Sequence, residues 1–66
     1  MIIKINSYLF IDYLYENVEK KIKRFKNLSI IYSPTNDELV NHDQVKNLRG
    51  YCKKNKIKFF LKIRLN

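Results

Sequence analysis

Apolar and polar positions along this chain fall into five segments with different periods. "IIKIN" (2–6) alternates, with Ile3 and Ile5 on one side and Ile2, Lys4 and Asn6 on the other, which predicts a short strand. Ile11, Leu14, Val18, Ile22 and Phe25 then recur at spacings of three and four, the stripe of one helix face, with Ser7 ahead of them as a candidate cap. Asp12, Glu16 and Glu19 lie in the first half of that helix and Lys20 to Lys26 in the second, the order that suits the helix dipole; Glu16–Lys20 and Glu19–Lys23 have the spacing of surface pairs.

"LSIIYS" (28–33) is β-branched and aromatic and stops at Pro34, which cannot donate to a ladder, so a second strand is predicted there. Two starts then compete for the second helix, a capping box at Thr35 with Glu38 and a weaker one at Asn41 with Gln44. Val45, Leu48 and Cys52 share a face and predict helix from about Asp43 to Lys54, with 35–42 open between helix and loop. Gly50 inside that helix costs up to about 1 kcal/mol against Ala, which indicates close packing or a marginal helix. Asn55 is the candidate stop. The last segment, "IKFFLKIRL" (57–65), alternates most cleanly: Ile57, Phe59, Leu61, Ile63 and Leu65 against Lys58, Phe60, Lys62 and Arg64.

These segments predict a single α/β (α+β) sandwich over 1–66, in the order β-α-β-α-β, with a small three-stranded sheet of ferredoxin-like or ribosomal type. Right-handed crossovers place both helices on one sheet face. The odd positions of 57–65 then meet the helices. Lys4, Asn6, Lys58, Phe60, Lys62 and Arg64 fall on the helix-free face.

Composition adds a partner to this picture. A domain of 66 residues buries only about 60% of its unfolded surface and is marginal alone. One cysteine and one histidine make neither a disulfide nor a zinc site. The net charge of +8 is the footprint of a nucleic-acid binder. Its excess sits in two blocks: residues 20–26 hold five bases and no acid, and residues 46–66 hold eight and none. Ile, Lys, Asn, Tyr and Phe supply 37 of the 66 residues, which points to an A/T-biased genome such as that of an organelle, a phage or a reduced bacterium. No apolar stretch has the length of a membrane span, and no secretory or Arg-rich transit pattern opens the chain.

No reaction is encoded in a recognisable constellation. His42 and Asp43 are sequence neighbours without a nucleophile, Cys52 lies on an apolar stripe, and one glycine cannot form a phosphate loop. Asp37, Glu38 and Asp43 are explained by capping and dipole roles rather than by a metal. Tyr8, Tyr13 and Tyr15 fit packing or an interface better than base stacking. The expectation is a protein that is not an enzyme, with no cofactor, no metal, no small-molecule substrate and no membrane. Cations hold a phosphate backbone and a ring between them stacks a base or sugar, so Lys4, Lys58, Phe60, Lys62 and Arg64 are the candidate nucleic-acid row. Lys23, Arg24 and Lys26 form a second candidate contact, and Arg49 belongs to the C-terminal basic block. The competing explanation of the row is an edge strand guarded by lysines.

"IIKINSY", "FIDYLYENVEKKIKRF", "LSIIYSP", "NHDQVKNLR" and the basic-apolar last strand, in this order, resemble the small-subunit ribosomal protein S-ten family in a shortened form. The family's long hairpin is missing between Asn27 and Leu28, and Thr35 stands where the family has His after Ser-Pro. The resemblance implies a structural constituent of the small-subunit head that binds ribosomal RNA beside neighbouring small-subunit ribosomal proteins. With the composition, it implies a mitochondrial, organelle-encoded origin, with the cytoplasm of a bacterium as the alternative. "IIYSPTNDELVNHDQVKNLRGYCKKNKIKF" is also similar to the start of serine recombinases, but it lacks their Arg before the serine. The alternative function is a small basic interaction protein, encoded by a phage or mobile element, that binds nucleic acid or an acidic host protein.

Overall fold

The computed structural model describes residues 1–35 and 40–63. Strand β1 (Ile2–Ile5) leads through a single 3-10 turn, Tyr8–Phe10, into helix α1 (Ile11–Ile22). Strand β2 (Ser29–Tyr32), helix α2 (His42–Lys54) and strand β3 (Lys58–Leu61) follow. The three strands form one sheet in the order β1-β2-β3, and both pairings are parallel. Consecutive strands are direct neighbours, so each βαβ unit is unsplit, whereas the ferredoxin-like variant of this arrangement is split.

The register sorts the strand residues into two faces. Ile3, Ile30 and Phe59 are aligned across the sheet, and so are Ile5, Tyr32 and Leu61. This face meets Leu14 and Val18 of α1 and Val45, Leu48 and Cys52 of α2 in one core. Both helices therefore cover the same face, and the rings of Tyr15 and Tyr51 join them, with centroids 4.2 Å apart. Val18, Ile30 and Leu48 are fully excluded from solvent.

Local chemistry fixes the ends. The Ser7 hydroxyl accepts from the Leu9 amide at 3.2 Å, so this residue caps the 3-10 turn rather than α1 itself. The Asn41 carboxamide accepts from the Asp43 amide at 2.8 Å and starts α2. The Asn41 start is thus the one used; the Thr35–Glu38 box involves residues outside those described. Past α2, Lys56 sits at φ 58°, the left-handed position that usually belongs to glycine. Its amide donates to the Lys53 carbonyl at 3.3 Å and the Ile57 amide to the Cys52 carbonyl at 2.8 Å. This is a Schellman motif, closed by Ile57 and Cys52 in the core. Asn55 supports it by donating from Nδ2 to the Tyr51 carbonyl at 2.9 Å.

Three expectations change. α1 ends at Ile22, so Lys23, Arg24, Phe25 and Lys26 leave the helix, and the amides of Arg24 and Phe25 both turn back onto the Lys21 carbonyl. Phe25 stands at the rim, 37% exposed, instead of continuing the core stripe. β3 is shorter than its alternating pattern, because the ladder closes where the Lys62 amide donates to the last carbonyl of β2, that of Tyr32. Ile63 lies beyond that partner and is 54% exposed rather than packed under the helices; Leu65 lies outside the described residues. Gly50 is exposed, and a Cβ built there meets nothing within 4 Å, so close packing does not explain it.

Candidate nucleic-acid interface

The helix-free face is a narrow sheet surface with lysines around an apolar centre. Ile2, Ser29 and Lys58 are aligned across it, and the next row is Lys4, Ile31 and Phe60. Strands lie about 4.8 Å apart, so Lys4 and Phe60 stand roughly 10 Å from each other with Ile31 between. Lys62 follows on the β3 side, where its amide still pairs with β2. Lys4, Lys58 and Lys62 are exposed, Phe60 is 49% exposed and Ile31 is half-buried. At the carboxyl ends of the strands, a depression of about 650 Å³ is lined by Lys4, Ile31, Ser33, Lys62 and Ile63, with Leu61 at its margin.

The eight candidate residues that the structure describes separate into three places. Lys4, Lys58, Phe60 and Lys62 share the open face, as the alternation predicted. Lys23, Arg24 and Lys26 lie in the turn after α1, at the end of the sheet where β2 and β3 begin. There Lys26 and Lys56 line one groove of about 250 Å³ together with Phe25, Leu28, Asn55 and Ile57. The Arg24 guanidinium sits 5.9 Å from the Phe25 ring centroid. Arg49 belongs to neither group: it lies on α2 with its guanidinium 5.1 Å over the Phe59 ring, on the helix side of β3. Arg64 lies outside the described residues.

The sequence reading set Ile2 on the side of Lys4 but gave it no part in this face, and it left out Ile31. Two adjacent isoleucines, Ile30 and Ile31, in the middle strand were the available signal. A strand that is apolar on both sides is the mark of a parallel sheet, in which the second face is rarely left wholly to water.

The remaining chemistry is sparse. Burial pushes the Cys52 thiol up to about 11, so the thiolate that would be nucleophilic is suppressed. Burial, then the neighbouring Tyr8, raises Tyr15 to about 12, and burial followed by Glu19 raises Tyr51. These rings pack between the helices, as Tyr15 on Tyr51 shows. Tyr13, by contrast, is 70% exposed. His42 is exposed on the first turn of α2. Among the described residues, no three His, Cys, Asp or Glu side chains gather as a metal site, and no helix is long and apolar enough to cross a membrane.

Fold and surface together define a small parallel α/β sandwich with one helix-covered face and one basic, ring-bearing face. No family model matches the chain, and neither a curated protein nor a solved structure matches it.

Proposed function

We propose that this protein binds RNA on its open sheet face, as a structural rather than catalytic component of a ribonucleoprotein. The observation that carries the reading is the placement of Phe60 within a lysine frame: Lys4 across the sheet, Lys58 and Lys62 two residues to either side. Exposed lysines hold phosphates by charge, and the neighbouring ring offers a surface on which a base or sugar stacks. Ile31 and Ile2 extend the apolar floor beneath it. The basic turn Lys23–Lys26 and Lys56, at the end of the sheet where Lys58 opens β3, supply a second phosphate contact.

The small ribosomal subunit is the setting that the resemblance to the S-ten family suggests, with ribosomal RNA and neighbouring small-subunit proteins as partners, in a mitochondrion or a bacterial cytoplasm. Such a partner also suits a domain too small to bury a large core. The alternative, a basic protein that docks on an acidic host protein, uses the same lysines but gives Phe60 no stacking partner.

A direct experiment compares the parent with Lys4→Gln/Lys58→Gln/Lys62→Gln and with Phe60→Ala in titrations against single-stranded RNA. All three side chains replaced in the triple variant are exposed, so the circular dichroism spectrum stays that of the parent. RNA affinity falls in both variants, with Phe60→Ala losing about 1–3 kcal/mol, as stacked rings do. Co-sedimentation with small ribosomal subunits tests the setting. Retention on an acidic protein with none on RNA would overturn the reading.

A further inference from the structure

We infer that β1 is a self-pairing edge and that two copies of this chain join there into one six-stranded sheet. The inference does not rest on RNA binding.

Among the described residues, β1 has a strand partner on one side only. The carbonyls of Met1 and Ile5 accept from β2, at 3.0 Å from Ser29 and 2.8 Å from Ser33. By the period of two, the amides and carbonyls of Ile2 and Lys4 point the other way, along the open edge. Beside that edge, between β1 and α1, lies a groove of about 430 Å³ with Ile3, Ile5, Phe10, Tyr13, Leu14 and Asn17 among its walls. Two of its walls are unusually bare, Phe10 at 67% and Tyr13 at 70% exposed, and near the same edge Ile2 on the helix-free face is 59% exposed and Leu9 of the 3-10 turn 87%. Together the four leave on the order of 500–600 Å² uncovered, against the roughly 800 Å² that a standard interface takes from each partner.

The sequence of β1 and the area left bare point to a second copy as the occupant, and the β1 flank is where two such chains repel least. Two chains of +8 repel one another wherever their basic blocks, 20–26 and 46–66, come together. Residues 1–19 are the only extended stretch of the amino-terminal half outside those blocks that carries this apolar surface, and they hold one lysine against three acids. The sequence of β1 is also self-complementary. In an antiparallel pair centred on Ile3, Ile2 faces the second copy's Lys4, so the lysine stems lie over isoleucine and no two lysines are opposed. The Ile2 and Lys4 backbone groups then exchange the ladder bonds that the open edge offers. The other edge, on β3, is flanked by Lys58 and Lys62, the charges that keep an edge from pairing.

A two-fold axis perpendicular to the sheet generates this pair. It places the helices of both copies on one side, so that Phe10 and Tyr13 of each copy close the groove of the other. The two lysine-framed faces then form one continuous surface on the opposite side.

Sedimentation across a wide concentration range, on the full chain without RNA, tests the pairing. The expected mass rises from 8.1 kDa toward twice that value. Ile2→Pro removes an edge donor that β2 does not use, at a position where strands accept proline. Tyr13→Asp places a charge on the exposed flank of α1. Each variant is expected to weaken self-association by roughly tenfold or more, with the circular dichroism of the parent. Should Ile2→Pro not fold, Tyr13→Asp still reads the interface, because its ring is not in the core. A mass of 8.1 kDa at every concentration overturns the inference. So does a dimer that both variants leave unchanged.

Discussion

Lys56 holds the left-handed backbone position of the α2–β3 turn, with φ 58°. A side chain there costs roughly 1–2 kcal/mol, and glycine relieves it while loosening the unfolded chain. Lys56→Gly is expected to raise stability by about 0.5–1 kcal/mol, read from the urea midpoint. Gly50 is the converse case. It spends helix propensity with no Cβ conflict in view, so Gly50→Ala is expected to stabilise by up to about 1 kcal/mol in the same assay. Cys52 and Tyr15 give the pH dependence. Their folded-state values, about 11 and about 12, lie above the ordinary 9.0 and 10.0. The stabilisation is complete below the ordinary values and is lost as pH rises through about 9 to 12. Thermal melts at stepped alkaline pH are expected to show a falling midpoint over that window; a midpoint flat to pH 12 would contradict the burial of both groups.

At the scale of elements, sequence pattern located the three strands, both α-helices and the end of α2, but not the 3-10 turn or the ends of α1 and β3. Helix α1 was legible because amphipathic spacing acts locally, whereas Asn41 was the weaker of two competing starts for α2 and is the cap the structure uses. Asn41→Ala is expected to cost about 1 kcal/mol, measured by thermal unfolding. The early stop of α1 was not legible, since Phe25 continues its apolar stripe and only the return of the chain to β2 decides otherwise. The length of β3 failed for the same kind of reason: alternation persists to Leu65, but a strand ends where its neighbour ends. The open-face lysines were legible from period two alone. Their apolar floor was not, because it needs the parallel register that brings Ile31 beside Phe60.

At the scale of the whole molecule, surface chemistry sets the behaviour. The proposed RNA binding on the lysine-framed face is expected to release counterions, with a slope of about 0.7 per phosphate neutralised on a single strand. Lys4, Lys58 and Lys62 together thus account for a slope of about 2 in log affinity against log salt, and the triple Gln variant is expected to lose it. An affinity for RNA that is flat between low and high salt would contradict the proposed function. Charge blocks made this face foreseeable from sequence. The apolar β1 flank was not, since Tyr13 fits packing as well as an interface, and Leu9 and Phe10 gain a place only through the 3-10 turn that leaves them exposed.

The parallel order of the strands has a kinetic consequence. Ile3 pairs with Ile30, and Ile30 with Phe59, so each strand partnership spans nearly thirty residues, and among the described residues no hairpin nucleates the sheet. Each crossover must close a loop of similar length before its own strand pairing is rewarded, and both closures converge on β2. The central strand is therefore the common requirement of both halves. Its amides should exchange last with solvent deuterium, at a rate set by global unfolding, while those facing outward on β1 exchange early at concentrations too low for two copies to pair.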